Sequence, residues 1–118
     1  MAKRTTARSQ ARTRAKTKAD ATAFLLMMER WLTKKFPLRH PHDVQVRSMI
    51  IAGSCRLKKG VYQIRICGDM PDYGQGWTLL HEWAHARERG KPRKGEPHHG
   101  KRWGREYWPI YSAWFDFD

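Results

Sequence analysis

His81, Glu82 and His85 lie in the pattern H-E-x-x-H, which Leu80 precedes and Ala86 follows. Residues four positions apart lie on one face of an α-helix, one turn apart, so two imidazoles at this spacing can reach one Zn²⁺. Glu82 then lies beside the water that the metal activates, where a hydrolase needs a general base. The pattern therefore predicts a zinc-dependent hydrolase, with peptides as the first substrate class to consider.

The residues around this motif favour a helix over residues 76–89. Trp77, Leu80 and Ala84 recur at helical spacing, and Gly90 then ends the pattern. A solvated helix with two incidental histidines is the simpler alternative. The apolar stretch around the motif argues against that alternative, because it favours burial of this segment.

A catalytic zinc site needs a third protein ligand and an open fourth position. The candidates that follow the motif are Glu88, Glu96, His98, His99 and Glu106. Glu88 is the least suitable ligand, since it follows His85 by three residues on the same helix and would crowd the metal.

The loop over residues 90–97 is rich in Gly and Pro and can return the chain towards the first helix. We expect His99 to be the third ligand, because Gly100 follows it. His98 is the neighbouring alternative, and Glu106 is the runner-up as a carboxylate ligand of the thermolysin type.

The two-part pattern, H-E-x-x-H and then H-G-x-x-aromatic, resembles the SprT-like zinc metallopeptidases, which include the Spartan-type proteases of DNA–protein crosslinks. The matching residues are His81, Glu82, His85, His99, Gly100 and Trp103, and the resemblance covers roughly residues 45–115. It implies His81, His85 and His99 as zinc ligands and Glu82 as the catalytic glutamate. The chain has only two cysteines, so it cannot form the four-cysteine zinc ribbon that some longer relatives carry.

The remaining patterns predict an α+β fold with a short antiparallel sheet, and the resemblance implies a small zincin-like domain. An N-terminal helix is expected from about residue 21 to 35, capped by Asp20, and strands are expected over 44–57 and 61–67. In zinc peptidases of this type, a strand edge beside the active-site helix commonly binds the substrate backbone, and the physics of β-addition allows it here.

Three further segments connect or follow these elements. Residues 68–76 read as a flexible loop, and His40 with its neighbours to Asp43 reads as a solvated turn. A C-terminal helix from Lys101 is expected to pack on the zinc helix, with a kink or break at Pro109.

The charge is strongly positive, with 24 Lys and Arg against 11 Asp and Glu and a net charge of +13. The basic residues of the N-terminal segment are Lys3, Arg4, Arg8, Arg12, Arg14, Lys16 and Lys18, and residues 1–19 contain no acid. We expect residues 1–20 to form a disordered basic tail that contacts nucleic-acid phosphates without reading base sequence. A merely solubilising tail and an organelle transit peptide are the alternatives.

Residues 21–118 are then expected to form one metallopeptidase domain. The sequence lacks a signal-peptide hydrophobic region and a membrane-length apolar stretch, which predicts a cytoplasmic protein associated with nucleic acid. Its expected activity is zinc-dependent hydrolysis of peptide bonds in nucleic-acid-associated proteins. The alternative function is a nucleic-acid-binding module with a structural zinc and no catalytic activity.

Overall fold

The computed structural model describes residues 23–88 and 99–115. The expected basic tail, the Asp20 cap, the loop over 90–97 and the alternative ligand His98 lie outside these residues. Across the described segments, no helix has the length and apolar character that crossing a membrane requires.

Within the described residues, one helix precedes three consecutive strands and two helices follow them. The elements are α1 (residues 23–35), β1 (His42–Arg47), β2 (Gly53–Lys58), β3 (Val61–Cys67), α2 (Asp72–Arg87) and α3 (Lys101–Phe115). Three helices and one three-stranded sheet confirm the predicted α+β class. α2 carries the H-E-x-x-H motif, and α3 begins directly after Gly100.

The sheet is mixed rather than antiparallel. Its strand order is β1-β3-β2, with β1 parallel to β3 and β2 antiparallel to β3. The prediction of one long strand over 44–57 was wrong, since Ile50 and Ile51 lie in a connection and are 104% and 57% exposed. An apolar run looks the same in a strand and in a connection, so the sequence pattern did not reveal the break.

The turn of the hairpin between β2 and β3 falls between the two strands that were predicted to end at residue 57 and to begin at residue 61. Lys59 and Gly60 both have positive φ, of 52° and 76°. Two such residues in succession form the tight turn whose twist matches that of an antiparallel pair. This turn fixes the register in which Lys58 pairs with Val61 and Cys55 pairs with Ile64.

The helix α2 begins four residues earlier than predicted, and the segment 68–76 is not all loop. Its first turn is held by a hydrogen bond of 2.9 Å from the Gln75 N–H to the Pro71 carbonyl, and the Gln75 amide also donates to the Met70 carbonyl at 2.8 Å. Gly76 reads as a loop residue, but a Cβ on it would lie 2.7 Å from the Phe24 ring. Its lack of a side chain therefore serves close packing of α2 against α1.

The core lies on one face of the sheet, between it and the helices. Ile64 and Ile66 of β3 are fully buried there, as is Leu32 of α1, while the alternate residues of β3 are more exposed. Burial of an aliphatic side chain of this size contributes about 1.5–3 kcal/mol. Trp83 of α2 is also fully buried, and its indole N–H donates to the Phe36 carbonyl at 2.8 Å. Trp83 therefore anchors the motif helix α2 to the residues that follow α1.

The helix α3 continues through Pro109 to Phe115, so Pro109 does not break it. Pro109 lies on the exposed side, and Ile110 beside it is fully buried. Trp114 packs edge-on against Trp31, with ring centres 5.0 Å apart. The predicted packing of the C-terminal helix on the motif helix is confirmed, because the Trp103 indole N–H of α3 donates to the His81 carbonyl of α2 at 3.3 Å.

Candidate metal centre and active site

Three histidines meet at one point beside α2. The Nε2 atom of His99 lies 2.9 Å from that of His81 and 3.1 Å from that of His85. His81 and His85 stand one turn apart on α2, and His99 approaches from the residues that lead into α3. The tertiary structure therefore brings together the three ligands that the sequence predicted.

The donor set of this cluster fits Zn²⁺. Imidazole is a preferred zinc ligand, and tetrahedral coordination with bonds of about 2.0–2.1 Å places ligand atoms about 3.3 Å apart. The observed Nε2 separations of 2.9 and 3.1 Å are within a few tenths of an ångström of that spacing. Within the described residues, no Asp, Glu or Cys joins the group. Three histidines with an open fourth position are one of the ligand sets that catalytic zinc sites use.

Glu88 orients His85. Its Oε1 atom lies 2.8 Å from Nδ1 of His85, and the Glu88 side chain is only 7% exposed. A carboxylate at this place accepts the Nδ1 proton, which leaves the Nε2 lone pair directed at the metal position. The sequence interpretation considered Glu88 only as a crowded ligand and missed this role. The spacing of three residues after His85 was the available signal, because such residues lie side by side on a helix.

Trp103 closes one side of the cluster. Its ring centre lies 4.8 Å from that of His81 and 4.9 Å from that of His99, and its indole N–H donates to the His81 carbonyl at 3.3 Å. The ring also stacks on Tyr107, with centres 4.5 Å apart and planes 13° apart. Trp103 thus links α3 to α2 and restricts the orientation of two imidazoles at once.

The electrostatics of the cluster favour neutral imidazole. The pKa of His81 is lowered from 6.5 to about 4. Burial is the largest cause, and the neighbouring His85 and His99 act in the same direction. A ligating histidine must be unprotonated at the nitrogen that binds the metal. His81 is therefore in its ligating form throughout the neutral pH range.

Glu82 is a buried carboxyl group that lies close to the strand β2. It is 7% exposed, and burial raises its pKa from 4.5 to about 7. A Cβ placed on Gly53 of β2 would lie 3.3 Å from Oε2 of Glu82 and 2.4 Å from a methyl carbon of Thr78. Only glycine at position 53 allows the strand to approach the motif helix this closely.

The strand β2 forms a free edge beside Glu82. The Cys67 N–H donates to the Ala52 carbonyl at 2.8 Å, which identifies this residue pair as a hydrogen-bonded one. In an antiparallel ladder, hydrogen-bonded pairs alternate with non-hydrogen-bonded pairs. Gly53, Cys55 and Leu57 belong to the non-hydrogen-bonded pairs, so they direct their backbone N–H and C=O groups away from β3. In the described part of the chain, no strand lies beyond this edge. Backbone donors and acceptors therefore line the approach to the histidine cluster.

Cys55 lies behind the cluster and is not part of it. The pKa of its thiol is raised from 9.0 to about 12. Burial is the largest cause, and the carboxylates of Glu82 and Glu88 act in the same direction. A thiol with so high a pKa is a poor nucleophile and a poor metal ligand. Cys55 lies in β2 and the buried Cys67 lies in β3, and neither forms a disulfide.

Other candidate residues lie elsewhere. Glu106 is paired with Arg87, whose Nε lies 3.0 Å from its Oε1, so the runner-up ligand is not in the histidine group. His42 is the first residue of β1 rather than a solvated turn, and its Nε2 lies 2.6 Å from Glu29 Oε2. The seven basic tail residues predicted to contact nucleic acid lie outside the described residues.

Comparisons of the chain with protein-family models, with curated proteins and with solved structures gave no match. The resemblance to SprT-like metallopeptidases therefore rests on the motif residues and on the chemistry of the cluster.

Proposed function

We propose that this protein is a zinc-dependent metallopeptidase of the zincin type, similar to the SprT-like enzymes. The observation that carries the proposal is the convergence of three Nε2 atoms, at 2.9 and 3.1 Å, on the helix that also holds the buried Glu82. A metal site and a general base on one helix are the two components that metal-assisted hydrolysis requires.

His81, His85 and His99 would hold the zinc ion, with Glu88 orienting His85. Zinc supplies Lewis acidity, which makes a water molecule more acidic and polarises a carbonyl group. Trp103 holds the imidazoles in place through its ring contacts and its hydrogen bond to the His81 carbonyl. The ligand atoms are thus pre-positioned before a metal binds.

Glu82 moves the proton in this proposal. Its carboxylate accepts a proton from the attacking water and delivers it to the leaving amine. Without metal the pKa of Glu82 is about 7, and a bound zinc cation would favour its ionised form, which is the form that accepts the proton. Burial is the cause of that value, so the same packing that places Glu82 also sets its proton affinity.

The free edge of β2 positions the substrate. An extended peptide can add to this edge as a further strand, with hydrogen bonds to the outward backbone groups of Gly53, Cys55 and Leu57. A Cβ on Gly53 would lie 3.3 Å from Oε2 of Glu82, so a peptide bond bound alongside Gly53 lies near the general base. This arrangement favours unfolded or extended segments over folded substrates.

The positive charge supports a location on nucleic acid. A net charge of +13 attracts polyanions, and the seven basic residues from Lys3 to Lys18 lie in a segment that contains no acid. We therefore include proteins associated with nucleic acid as the proposed substrate class and zinc as the proposed cofactor.

The test combines metal analysis with a cleavage assay on the full chain. We expect one zinc per chain and cleavage of an unfolded protein that stops with a chelator and returns with zinc. Glu82→Gln should retain zinc and lose activity, whereas His40→Ala, which changes an exposed histidine outside the cluster, should retain both. Running the assay on a DNA-bound basic protein, with and without DNA, tests the nucleic-acid part separately.

Two results would contradict the proposal. An active Glu82→Gln protein with intact metal would remove the catalytic assignment of this residue. One bound zinc with no water ligand and no cleavage would favour the alternative, a nucleic-acid-binding module whose zinc is structural.

A further inference from the structure

The outer edge of β2 presents two chemically different faces to a bound peptide. Gly53 and Cys55 face α2, because Gly53 abuts Thr78 and Cys55 packs against the core. Side chains alternate along a strand, so Ser54, Arg56 and Lys58 lie on the opposite face of the sheet. The side chains of a peptide added to this edge must alternate between the same two faces.

The face opposite α2 is polar and mainly basic. Its residues include Arg47 of β1 and Arg65 of β3 together with the three outward residues of β2. Asp43 is the one acid among these strands, and it is already engaged, since Arg65 donates to its carbonyl at 2.9 Å and lies 3.3 Å from its carboxylate. The positive charge at the β2 edge is therefore not neutralised from within the sheet.

Arg56 is the basic residue best placed to contact a bound peptide. It lies in the middle of β2 and is exposed, and no acid of the described residues forms an ion pair with it. A residue directly opposite on an added strand would have its Cβ about 5 Å from that of Arg56. Lys58, two residues further along β2, is the next residue on the same face and extends the positive charge along it.

We propose that Arg56, supported by Lys58, forms a substrate subsite that selects acidic side chains at alternate positions of the cleaved peptide. The proposal deepens the proposed function and rests on it. Cross-strand pairs of opposite charge are favourable and like charges directly opposite are unfavourable. A peptide with Glu at the position opposite Arg56 therefore binds better than one with Lys there.

The experiment uses the full-length zinc-loaded protein and one neutral peptide sequence that it cleaves. Glu, Gln or Lys is placed in turn at each position within four residues of the scissile bond, and kcat/KM is measured for every peptide. We expect Glu to be preferred over Gln by about two- to fivefold at alternate positions only. A preference without this period of two would contradict binding as a strand.

Charge reversal at position 56 provides the decisive comparison. Arg56→Glu should invert the Glu-to-Lys preference at one position, and Arg56→Gln should abolish it there. Arg30→Glu is the matched control, since Arg30 is exposed on α1, and its neighbour Glu29 pairs with β1 at the other edge of the sheet. An equal effect of Arg30→Glu would mean that overall charge, not the subsite, determines the preference.

The outcomes separate this proposal from the one on which it rests. Cleavage of all peptides at equal rates would overturn the subsite and leave the peptidase intact. Failure of the wild-type protein to cleave any peptide, with zinc bound, would overturn both.

Discussion

Burial of Glu82 has a measurable consequence for stability that does not depend on any substrate. The carboxyl group has an ordinary pKa of 4.5 and a pKa of about 7 in the folded protein. Between these values the unfolded chain binds fewer protons at this group than the folded chain does. The free energy of unfolding therefore falls as pH rises through this window, and the loss is complete above pH 7.

The magnitude follows from the pKa difference. At about 1.4 kcal/mol per unit, a shift from 4.5 to about 7 corresponds to about 3 kcal/mol of destabilisation at pH 8. Glu82→Gln keeps the size of the side chain and removes the charge. We expect the metal-free variant to be more stable than the metal-free wild type by about 3 kcal/mol at pH 8 and by less than about 1 kcal/mol at pH 5.

The assay is chemical or thermal unfolding in excess chelator at the two pH values. For a domain of this size, about 3 kcal/mol corresponds to a rise in Tm on the order of 10 °C. Asp72→Asn is the matched control, because it removes one negative charge at an exposed position and should give no stabilisation at pH 8. The causes of the lowered His81 pKa are burial, His85 and His99, and none of them changes in Glu82→Gln, so we expect the His81 contribution to cancel in the comparison.

A stabilisation that is absent at pH 8, or equal at pH 5 and pH 8, would refute the reasoning from burial. If the expected difference is found, the chain carries a charged group that reduces its stability at neutral pH. Such a group is typical of a functional site, where activity requires a chemical environment that folding alone would not favour.

Three further predictions concern the surroundings of the cluster. Glu88→Ala should lower zinc affinity about 10- to 100-fold in a competition titration, because His85 loses its orienting carboxylate, whereas Glu106→Ala outside the group should not. Gly53→Ala should reduce the free energy of unfolding by about 1–3 kcal/mol, since the new methyl group would lie 2.4 Å from Thr78, and adding Thr78→Ser should recover part of the loss. Zinc added to the metal-free protein should raise the Tm with concentration, and a Tm that does not respond would mean that the histidines do not bind it in the folded state.

Local spacing was sufficient to predict the motif helix and two of its ligands. The H-E-x-x-H pattern fixes His81 and His85 on one helical face whatever the rest of the chain does, because helix geometry alone sets that relation. The strand predicted over residues 61–67 depends on an equally local pattern, and its bounds agree with the structure. The fold class followed from these elements.

Features that depend on contacts between distant residues were not accessible in this way. The split of residues 44–57 into β1 and β2 and the parallel pairing of β1 with β3 depend on which strands meet, and the apolar pattern does not encode that. The start of α2 was hidden because Gly76 reads as a loop residue until its contact with Phe24 is known.

The same division holds for the site. The sequence by itself determined which residue types would hold a metal and supply a base, since those follow from spacing on one helix and from the residues after the loop. Only the tertiary structure decided that His99 meets His81 and His85. It alone buries Glu82 beside Gly53, because burial and proton affinity depend on neighbours that lie far away in the chain.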